Sequence, residues 1–286
     1  MKQTTPPSLP WQVSITPLAS FGALVTPEDP SMDSLDLPVE HLRTLVGHAR
    51  IVLLRGFANR FSRQSLADYA RRWGRIMTGS YGDVLELVEK DDSHDSIYDS
   101  RSLPLHWDGM YMPTIPEFQV FHCADAGPLN TGGETVFVDT VGLLENAQAS
   151  VLDQWRAIET TSTIAAVSHY GGSVRNALVA DHPVHHVPTL RYSPPVDAIP
   201  GFRNPNIVTY EGLDQASMDE SIAQLHDRLA HPAHRYEHTW QTGDVLITDN
   251  LALLHGRNAF AHGSSRHLQR VHIHADPVLV NTGFSP

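Results

Sequence analysis

Two histidines and one aspartate stand out because together they could hold a redox-active metal ion. His106 and Asp108 are separated by a single tryptophan, and His255 lies far downstream. Two imidazoles and one carboxylate on one face of a ferrous ion leave three coordination positions open, which is the facial arrangement of non-haem iron oxygenases. We therefore predict that His106, Asp108 and His255 are the ligands of a catalytic iron(II) site.

The chain contains a second His-x-Asp sequence, His274-Ala275-Asp276, but no later histidine could complete a site there. A single His-x-Asp is weak support for a metal site, because one such spacing is expected by chance among 18 histidines. The first copy is strengthened by the residues ahead of its distant partner. Residues 243–250 have the pattern of a turn, a strand and a turn, and they lead directly to His255.

Two arginines, Arg266 and Arg270, follow the third predicted ligand and could bind an anion. If residues 266–275 form a strand, both arginines lie on one face of it together with two histidines. Buried arginines are costly unless they meet an anion, and a dicarboxylate such as 2-oxoglutarate offers one. In the alternative, Val271 and Ile273 face the core and the arginines face solvent. The alternation by itself leaves both orientations open.

Short elements must bring these residues together, and their pattern is mainly β after about residue 83. Helices repeat apolar side chains every three or four residues, whereas strands are short apolar runs between turn residues. Helices are predicted at 38–47, 62–74, 141–155 and 214–229, and strands at 21–25, 51–57, 84–88, 118–123, 135–138 and 245–248. This order predicts a mainly β fold with flanking helices, built on a double-stranded β-helix (jelly-roll) core.

Within that core, one strand is expected to carry two of the three ligands. His106 and Asp108 would both face the barrel interior, because alternate residues of a strand share a face, and Trp107 would face away. Residues 170–206 lack clear periodicity, and long irregular segments are often lids or binding loops. No change of composition marks a second domain, so residues 1–286 are predicted to form a single domain.

The composition limits the partners of the protein. The formal net charge is −12, and an acidic surface repels phosphate backbones, so we expect no nucleic-acid partner. Cys123 is the sole cysteine, which excludes a disulfide within the chain and thiolate metal clusters. Residues 1–11 are proline-rich, and we expect them to be a flexible start rather than a signal peptide. With no long apolar run, a cytoplasmic protein without membrane contact is expected; the oligomeric state cannot be inferred.

Several short motifs follow one another along the chain: His106-x-Asp108, Gly132-Gly133-Glu134-Thr135, Asp249-Asn250 ahead of His255, and Arg266 with Arg270. As a set, over residues 55–275, they resemble the taurine dioxygenase superfamily of iron(II)/2-oxoglutarate oxygenases. The resemblance implies iron(II), 2-oxoglutarate and dioxygen as cofactor and cosubstrates, with the predicted triad as iron ligands. It also implies that Thr135 and Arg266 bind the distal carboxylate of 2-oxoglutarate. Arg270 matches the position that binds the anionic group of the substrate, a role that His272 or His274 could share.

Three longer stretches, residues 105–111, 116–122 and 266–275, are similar to the tyrosine-isonitrile desaturases of paerucumarin- and rhabduscin-type pathways. This resemblance implies oxidative desaturation of an amino-acid-derived isonitrile, closest to tyrosine isonitrile, with or without loss of its carboxylate. The implied partner is a small aromatic isonitrile carboxylate. Tyr98, Tyr111 and Tyr170 could stack on its ring, although ordinary packing would explain each of them equally well.

Two other enzymatic or binding roles remain open from the sequence. One is an iron(II)/2-oxoglutarate-dependent hydroxylase of another small carboxylate or sulfonate. The other is a cupin-like zinc protein, although zinc would not explain the arginine that follows the last ligand. Separately, His182, His185 and His186 form a local cluster that could hold a second metal ion, but most such clusters are loop or surface histidines.

Overall fold

The computed structural model of the protein describes residues 12–58, 60–91 and 93–286. The start that the sequence predicts to be flexible, residues 1–11, lies outside these ranges. The described α-helices are α1 (Val39–Ala49), α2 (Arg63–Arg71), α3 (Thr140–Glu145), α4 (Ala149–Ala157) and α5 (Gln215–Ala230). Short 3₁₀ helices span Ser34–Asp36, Ser96–Tyr98 and Pro232–His234. None of the helices in these ranges is long and apolar enough to cross a bilayer.

Strands make up most of the regular structure in the described ranges. They are β1 (Val13–Pro17), β2 (Ala23–Pro27), β3 (Ile51–Leu54), β4 (Leu85–Leu87), β5 (Leu103–His106), β6 (Thr114–Asp125), β7 (Thr135–Asp139), β8 (Glu159–Ile164), β9 (Gly172–Ala177), β10 (Val179–Asp181), β11 (Pro188–Leu190), β12 (Ile207–Glu211), β13 (Arg235–His238), β14 (Val245–Asp249), β15 (Leu253–Arg257), β16 (His267–Val280) and β17 (Phe284–Ser285). The prediction of a mainly β protein with flanking helices is confirmed.

Two sheets face each other across an apolar interior. The larger has the order β1-β2-β3-β14-β6-β16-β4 and the smaller has the order β13-β7-β15-β5. Phe121 and Leu246 of the larger sheet pack in one buried cluster with Phe137 and Leu253 of the smaller sheet. Because neighbouring strands come from distant parts of the chain, this interior can bring together side chains that are far apart in the sequence.

The helices cover the outside of these sheets. Leu42 of α1 and Leu66 of α2 belong to a buried cluster on the outer face of the larger sheet. Ser62 begins α2 with a capping box, in which its hydroxyl accepts the Ser65 N–H and the Ser65 hydroxyl bonds to the backbone N–H of Ser62. The single helix predicted at 141–155 is wrong in one respect, because the chain forms two helices, α3 and α4, with a break between them.

Between Leu268 and Ala275, strand β16 is largely buried on both faces, which resolves the two orientations left open by its alternating pattern. Val271 and Ile273 pack in the cluster beneath α1 and α2. Arg270 and His272 point the other way, and each has a nitrogen within 3 Å of a carboxylate oxygen of Asp108. The apolar residues therefore face a core and the polar residues face the interior between the sheets.

The segment 170–206 is more regular than its composition suggests. It contains the short strands β9, β10 and β11, the first of which pairs with β8. The rest of the segment is irregular, and several of its side chains line the cavity described below. The prediction of a binding segment therefore applies mainly to the part after β11.

Replacement of Ile273 by alanine tests whether the outer face of β16 supports the fold. Ile273 is fully buried, and removing such a side chain costs about 2–5 kcal/mol. We expect urea denaturation of Ile273→Ala to show a lower free energy of unfolding by that amount. The matched control is Val280→Ala on the same strand, where the side chain is 66% exposed and the change should stay within about 0.5 kcal/mol. Equal losses in both variants would contradict this assignment.

Candidate active site

His106 and His255 lie opposite each other on neighbouring antiparallel strands. The register of β5 and β15 pairs the two histidines directly, and their ring centroids are 4.3 Å apart. Gly256 makes this approach possible, because a Cβ at that position would lie 2.6 Å from the carbonyl oxygen of Leu103. The glycine next to His255 thus lets the strand that carries His106 come close enough for the two imidazoles to meet.

Asp108 is not on the strand that carries His106, so the expectation of one strand with two ligands is wrong. Strand β5 ends at His106, and Asp108 begins a turn. Asn250 fixes this turn from the opposite side of the site. Its side-chain amide donates to the Asp108 and Pro116 carbonyls, and its side-chain oxygen accepts the Asp108 N–H at 3.0 Å. Trp107 is buried in an apolar cluster that also contains Met110 and Tyr111, and it forms part of the lining of the cleft described below.

The three predicted ligands converge on one point. Their donor atoms lie within 4.8 Å of one another. The Nε2 atom of His106 is 3.6 Å from Oδ1 of Asp108, and the Nε2 atom of His255 is 3.6 Å from Oδ2. The three side chains are therefore close enough to reach one metal ion, because metal–ligand bonds of about 2 Å place adjacent ligand atoms roughly 3 Å apart.

The protonation of the two imidazoles also suits a metal ion. Nδ1 of His106 is 2.9 Å from the Pro104 carbonyl, which can only accept, so Nδ1 carries a proton and Nε2 is the nitrogen that faces the other predicted ligands. Nε2 of His255 is buried without a hydrogen-bond partner among the described residues. Burial and the neighbouring His106 hold the pKa of His255 well below its ordinary value, which keeps the ring in the neutral, metal-binding form.

Asp108 is a buried carboxylate in a positively charged setting. Burial by itself would raise its pKa, but the Arg270 guanidinium in the first place, with the neighbouring imidazoles, outweighs this effect and holds the pKa well below its usual range. Arg270 contributes an ion pair of 2.7 Å to Oδ2. The carboxylate is therefore ionised, which is the form that binds a metal ion.

Arg266 and Thr135 are both buried. Arg266 is buried, its Nε has no partner among the described residues, and its guanidinium stacks on Phe260 at 5.5 Å. Burial, followed by the charge of Arg257, lowers the pKa of Arg266 to about 10. The Thr135 hydroxyl accepts the indole N–H of Trp240 at 2.9 Å, so its own proton remains to be donated. A buried cation and a hydroxyl donor in this state suit a carboxylate ligand.

The double glycine ahead of Thr135, Gly132-Gly133, is required by the local backbone conformation. Both have φ values above +80°, a conformation that favours glycine. A Cβ on Gly133 would lie 2.9 Å from the Cδ and Nε atoms of Arg266. The glycines therefore let the backbone pass directly beside the arginine that the sequence assigns to 2-oxoglutarate.

Arg257 organises the segment ahead of β5, a role that the sequence did not suggest. Its guanidinium donates to the carbonyls of Ile97, Asp99 and Arg101. Burial lowers its pKa to about 10. Arg257 lies two residues after His255. The strand that supplies one predicted ligand therefore also holds in place the segment that leads to His106.

A cleft with a cavity volume of about 110 Å³ lies beside the predicted ligands, and His106 and Asp108 form part of its lining. Tyr111 and Tyr170 line it and stack with ring centroids 6.4 Å apart. The Tyr170 hydroxyl donates to Asp95 at 2.7 Å, and burial together with Asp95 raises the pKa of Tyr170. Arg270 and His272 line the same cleft, together with apolar side chains of Met110, Met112, Ile164, Val196 and Phe202.

Two residues considered from the sequence do not contribute to this lining. Tyr98 is absent from the lining, and the Lys90 ammonium covers its ring at 3.9 Å. His274 is also absent from the lining, because an irregularity in β16 between Ile273 and His274 interrupts the alternation. Of the two histidines that could share the role of Arg270, only His272 reaches the cleft.

The second histidine cluster is arranged for hydrogen bonding. His182 and His185 bring ring nitrogens within 4.8 Å of an Asp249 oxygen, whereas His186 is not part of the group. Nδ1 of His182 accepts the backbone N–H groups of Val184 and His185, so the ring proton lies on Nε2 and points to Asp249 at 3.1 Å. A metal ion there would have to displace this proton, so these contacts favour a structural role.

The sequence family of the chain follows from comparison with known proteins. Residues 14–272 match the model of the "Taurine catabolism dioxygenase TauD, TfdA family". The chain belongs to this family. Among curated relatives, it is 43% identical to a tyrosine isonitrile desaturase of Pseudomonas aeruginosa, over 91% of this chain and 90% of the relative. It is 36% identical to a 3-((Z)-2-isocyanoethenyl)-1H-indole synthase of Fischerella ambigua, over 92% of this chain and 96% of the relative.

A solved structure adds the same relationship in three dimensions. PvcB, an Fe, alpha-ketoglutarate dependent oxygenase from an isonitrile synthetic pathway, superposes with a TM-score of 0.81 at 38% sequence identity. The match covers 99% of this chain and 100% of that protein. The predicted superfamily and the nearer group of isonitrile enzymes are thus both confirmed as relatives.

Two glycine variants test the close approaches in the site. Gly256→Ala should push β5 away from β15 and weaken Fe(II) binding about tenfold or more, because the clash is with backbone that cannot move aside. Gly133→Ala should leave Fe(II) binding nearly unchanged and weaken 2-oxoglutarate binding, because its Cβ meets Arg266. Anaerobic calorimetry measures both affinities, with circular dichroism as the check on folding. Unaltered Fe(II) affinity in Gly256→Ala would contradict the geometry.

Proposed function

We propose that the protein is an iron(II)/2-oxoglutarate-dependent dioxygenase that desaturates an amino-acid-derived aromatic isonitrile, with or without loss of the substrate carboxylate, in isonitrile natural-product biosynthesis. Tyrosine isonitrile is the favoured substrate. The observation that carries this proposal is the convergence of His106, Asp108 and His255 beside a cleft lined with tyrosines, in a chain that is 43% identical to a tyrosine isonitrile desaturase.

The architecture is consistent with this activity. We propose that the two facing sheets form the double-stranded β-helix core expected for the family, and that residues 1–286 act as one oxygenase domain. The ligand histidines lie on the smaller sheet, and Arg270 and His272 lie on the larger one. The reaction would therefore take place in the interior between the sheets, where water is limited and donors are held rigidly.

His106, Asp108 and His255 would hold the iron, and their neutral imidazoles and ionised carboxylate are the forms that do so. Iron at this site, with dioxygen and 2-oxoglutarate, supplies the oxidising power to remove two hydrogen atoms from the substrate. Arg266 would bind the distal carboxylate of 2-oxoglutarate through its guanidinium. Thr135 would donate its hydroxyl proton to the same carboxylate, because the bond with Trp240 uses only the hydroxyl oxygen as an acceptor. Electrons balance, because 2-oxoglutarate and the substrate each give two to dioxygen, yielding succinate, carbon dioxide and water.

Arg270 would bind the substrate carboxylate. Its NH1 group is already bonded to Asp108, but its Nε is buried without a partner among the described residues, and the side chain lines the cleft. Tyr111 and Tyr170 would hold the aromatic ring, so that the benzylic carbon faces the metal. This arrangement needs a substrate with an anionic end and an aromatic end, which matches an aromatic isonitrile carboxylate.

Tyrosine and tryptophan isonitriles are both compatible with the relatives, since one acts on a tyrosine derivative and another forms an indole product. We favour tyrosine isonitrile because the more similar of these two relatives is the tyrosine enzyme. The alternative from the sequence, hydroxylation of another small carboxylate or sulfonate, uses the same metal site. The products separate the two, since a hydroxylase leaves an oxygen atom from dioxygen in the product.

Product analysis tests the proposed reaction. Protein, Fe(II), 2-oxoglutarate and tyrosine isonitrile are mixed without oxygen, exposed to air and analysed by mass spectrometry. We expect an alkene that is lighter by two hydrogen atoms, or by these and carbon dioxide, with one succinate formed for each product. His106→Ala should abolish substrate-coupled consumption of 2-oxoglutarate, since a ligand is lost. A product that gains one oxygen would support the hydroxylase, and turnover by His106→Ala would refute the triad.

Arg266→Gln tests the assignment of the cosubstrate site. A lost charge-assisted hydrogen bond costs about 1.5–3 kcal/mol, so the dissociation constant of 2-oxoglutarate should rise about 10- to 150-fold. Anaerobic titration of the Fe(II) protein with 2-oxoglutarate measures it. Arg175→Gln is the control, because Arg175 is exposed and paired only with Glu159 and Glu211 at the surface. The assignment fails if both variants bind 2-oxoglutarate like the parent protein.

A further inference from the structure

Among the described residues, one oxygen atom of Asp108 receives two hydrogen bonds and a close ion pair, and the other receives no contact of comparable closeness. Oδ2 accepts from the Gln119 amide and from Nε2 of His272 at 2.8 Å, and NH1 of Arg270 forms an ion pair with it at 2.7 Å. Each oxygen also has one predicted ligand histidine at 3.6 Å, Nε2 of His106 for Oδ1 and Nε2 of His255 for Oδ2. The carboxylate is therefore asymmetric before any ligand is considered.

Two of these donors belong to a polar row that crosses three strands of the larger sheet. The register pairs Gln119 of β6 with Thr248 of β14 on one side and with His272 of β16 on the other. All three side chains are at least 95% buried. Residues that are opposite one another on paired strands share a face, so the row projects as one unit into the interior between the sheets.

Thr248 sets the orientation of the central amide. Its hydroxyl donates to Oε1 of Gln119 at 2.8 Å. With Oε1 occupied as an acceptor, the amide nitrogen of Gln119 is left to face Asp108, and a flipped amide would set two acceptor oxygens against each other. A buried polar chain of this kind is costly unless every member is bonded, so its placement against one carboxylate oxygen calls for a functional explanation.

We propose that the row of Thr248, Gln119 and His272 is a positioning device that reserves Oδ1 of Asp108 for the metal ion and keeps Oδ2 from binding it. Arg270 adds an ion pair to the same oxygen. A carboxylate that bound through both oxygens would occupy two coordination positions. Bidentate 2-oxoglutarate would then leave one fewer position for dioxygen, so one-oxygen binding by Asp108 is required for the proposed reaction.

Metal affinity provides the first test and needs no substrate. Anaerobic calorimetry with Fe(II) alone compares the parent protein with Gln119→Leu, which removes the donor, and with Thr248→Val, which removes only its orientation. Loss of such a supporting contact typically weakens metal binding 10- to 100-fold. We expect a loss in this range for Gln119→Leu, and a smaller loss in the same direction for Thr248→Val.

The matched control is Gln269→Leu. Gln269 is another buried glutamine of the same sheet, but it bonds to His122 and Glu86 away from the site. Its Fe(II) affinity should stay within about twofold of the parent. Equal weakening in Gln269→Leu and Gln119→Leu would mean general destabilisation and would overturn the proposal, as would unchanged Fe(II) affinity in a folded Gln119→Leu.

Coordination number gives a second readout that a merely structural role would not move. Near-infrared magnetic circular dichroism of the Fe(II) protein with 2-oxoglutarate should show that Gln119→Leu changes the ligand field, whereas Gln269→Leu does not. His272→Gln, which keeps an N–H donor, should retain more of the parent spectrum than His272→Phe. Identical spectra in all variants would overturn the inference. Failure of the parent protein itself to bind Fe(II) would instead refute the proposed function, so the two failures are distinguishable.

Discussion

The buried negative charge of Asp108 is the constraint on which the rest of the site depends. An ionised carboxylate in an apolar interior is stable only when charges and donors surround it. Arg270, His272 and Gln119 supply them from one sheet, while Asn250 holds the backbone of the turn that carries the carboxylate. The same contacts that make this charge tolerable also orient it toward the two histidines.

The larger sheet has one face beneath the helices and one face toward the interior between the sheets, and the two faces serve different purposes. In β16, Val271 and Ile273 pack beneath the helices, whereas Arg270 and His272 face the site. Deeper in the same interior, Phe121 belongs to an apolar cluster that fills the space between the sheets. The same strand therefore contributes side chains to the core and to the site, and the rigidity of a packed strand holds the polar groups in place.

Much of the fold and of the site was predictable, because it depends on local patterns. Apolar periodicity predicted most helices and the central strands, and Ser62 predicted the start of α2. The three predicted iron ligands could be proposed from their residue types together with the motifs around them, and the structure brings them close together. The turn at Asp108, the break between α3 and α4, and the roles of Gln119 and Arg257 were not. A polar residue in a buried strand such as β6 gives no indication in the sequence of what it contacts.

The sequence by itself determined the chemical identities at the site: which residue types could bind a metal ion and an anion, and which family the motifs resemble. Tertiary structure alone decided their arrangement, because His106 meets His255 only through the pairing of β5 with β15, at a glycine that permits the approach. It likewise decided that the hydrogen bonds to the Asp108 carboxylate fall on only one of its two oxygens, Oδ2. Strand pairing joins residues that are far apart along the chain, and its energy depends on packing across the whole sheet, which no local pattern contains.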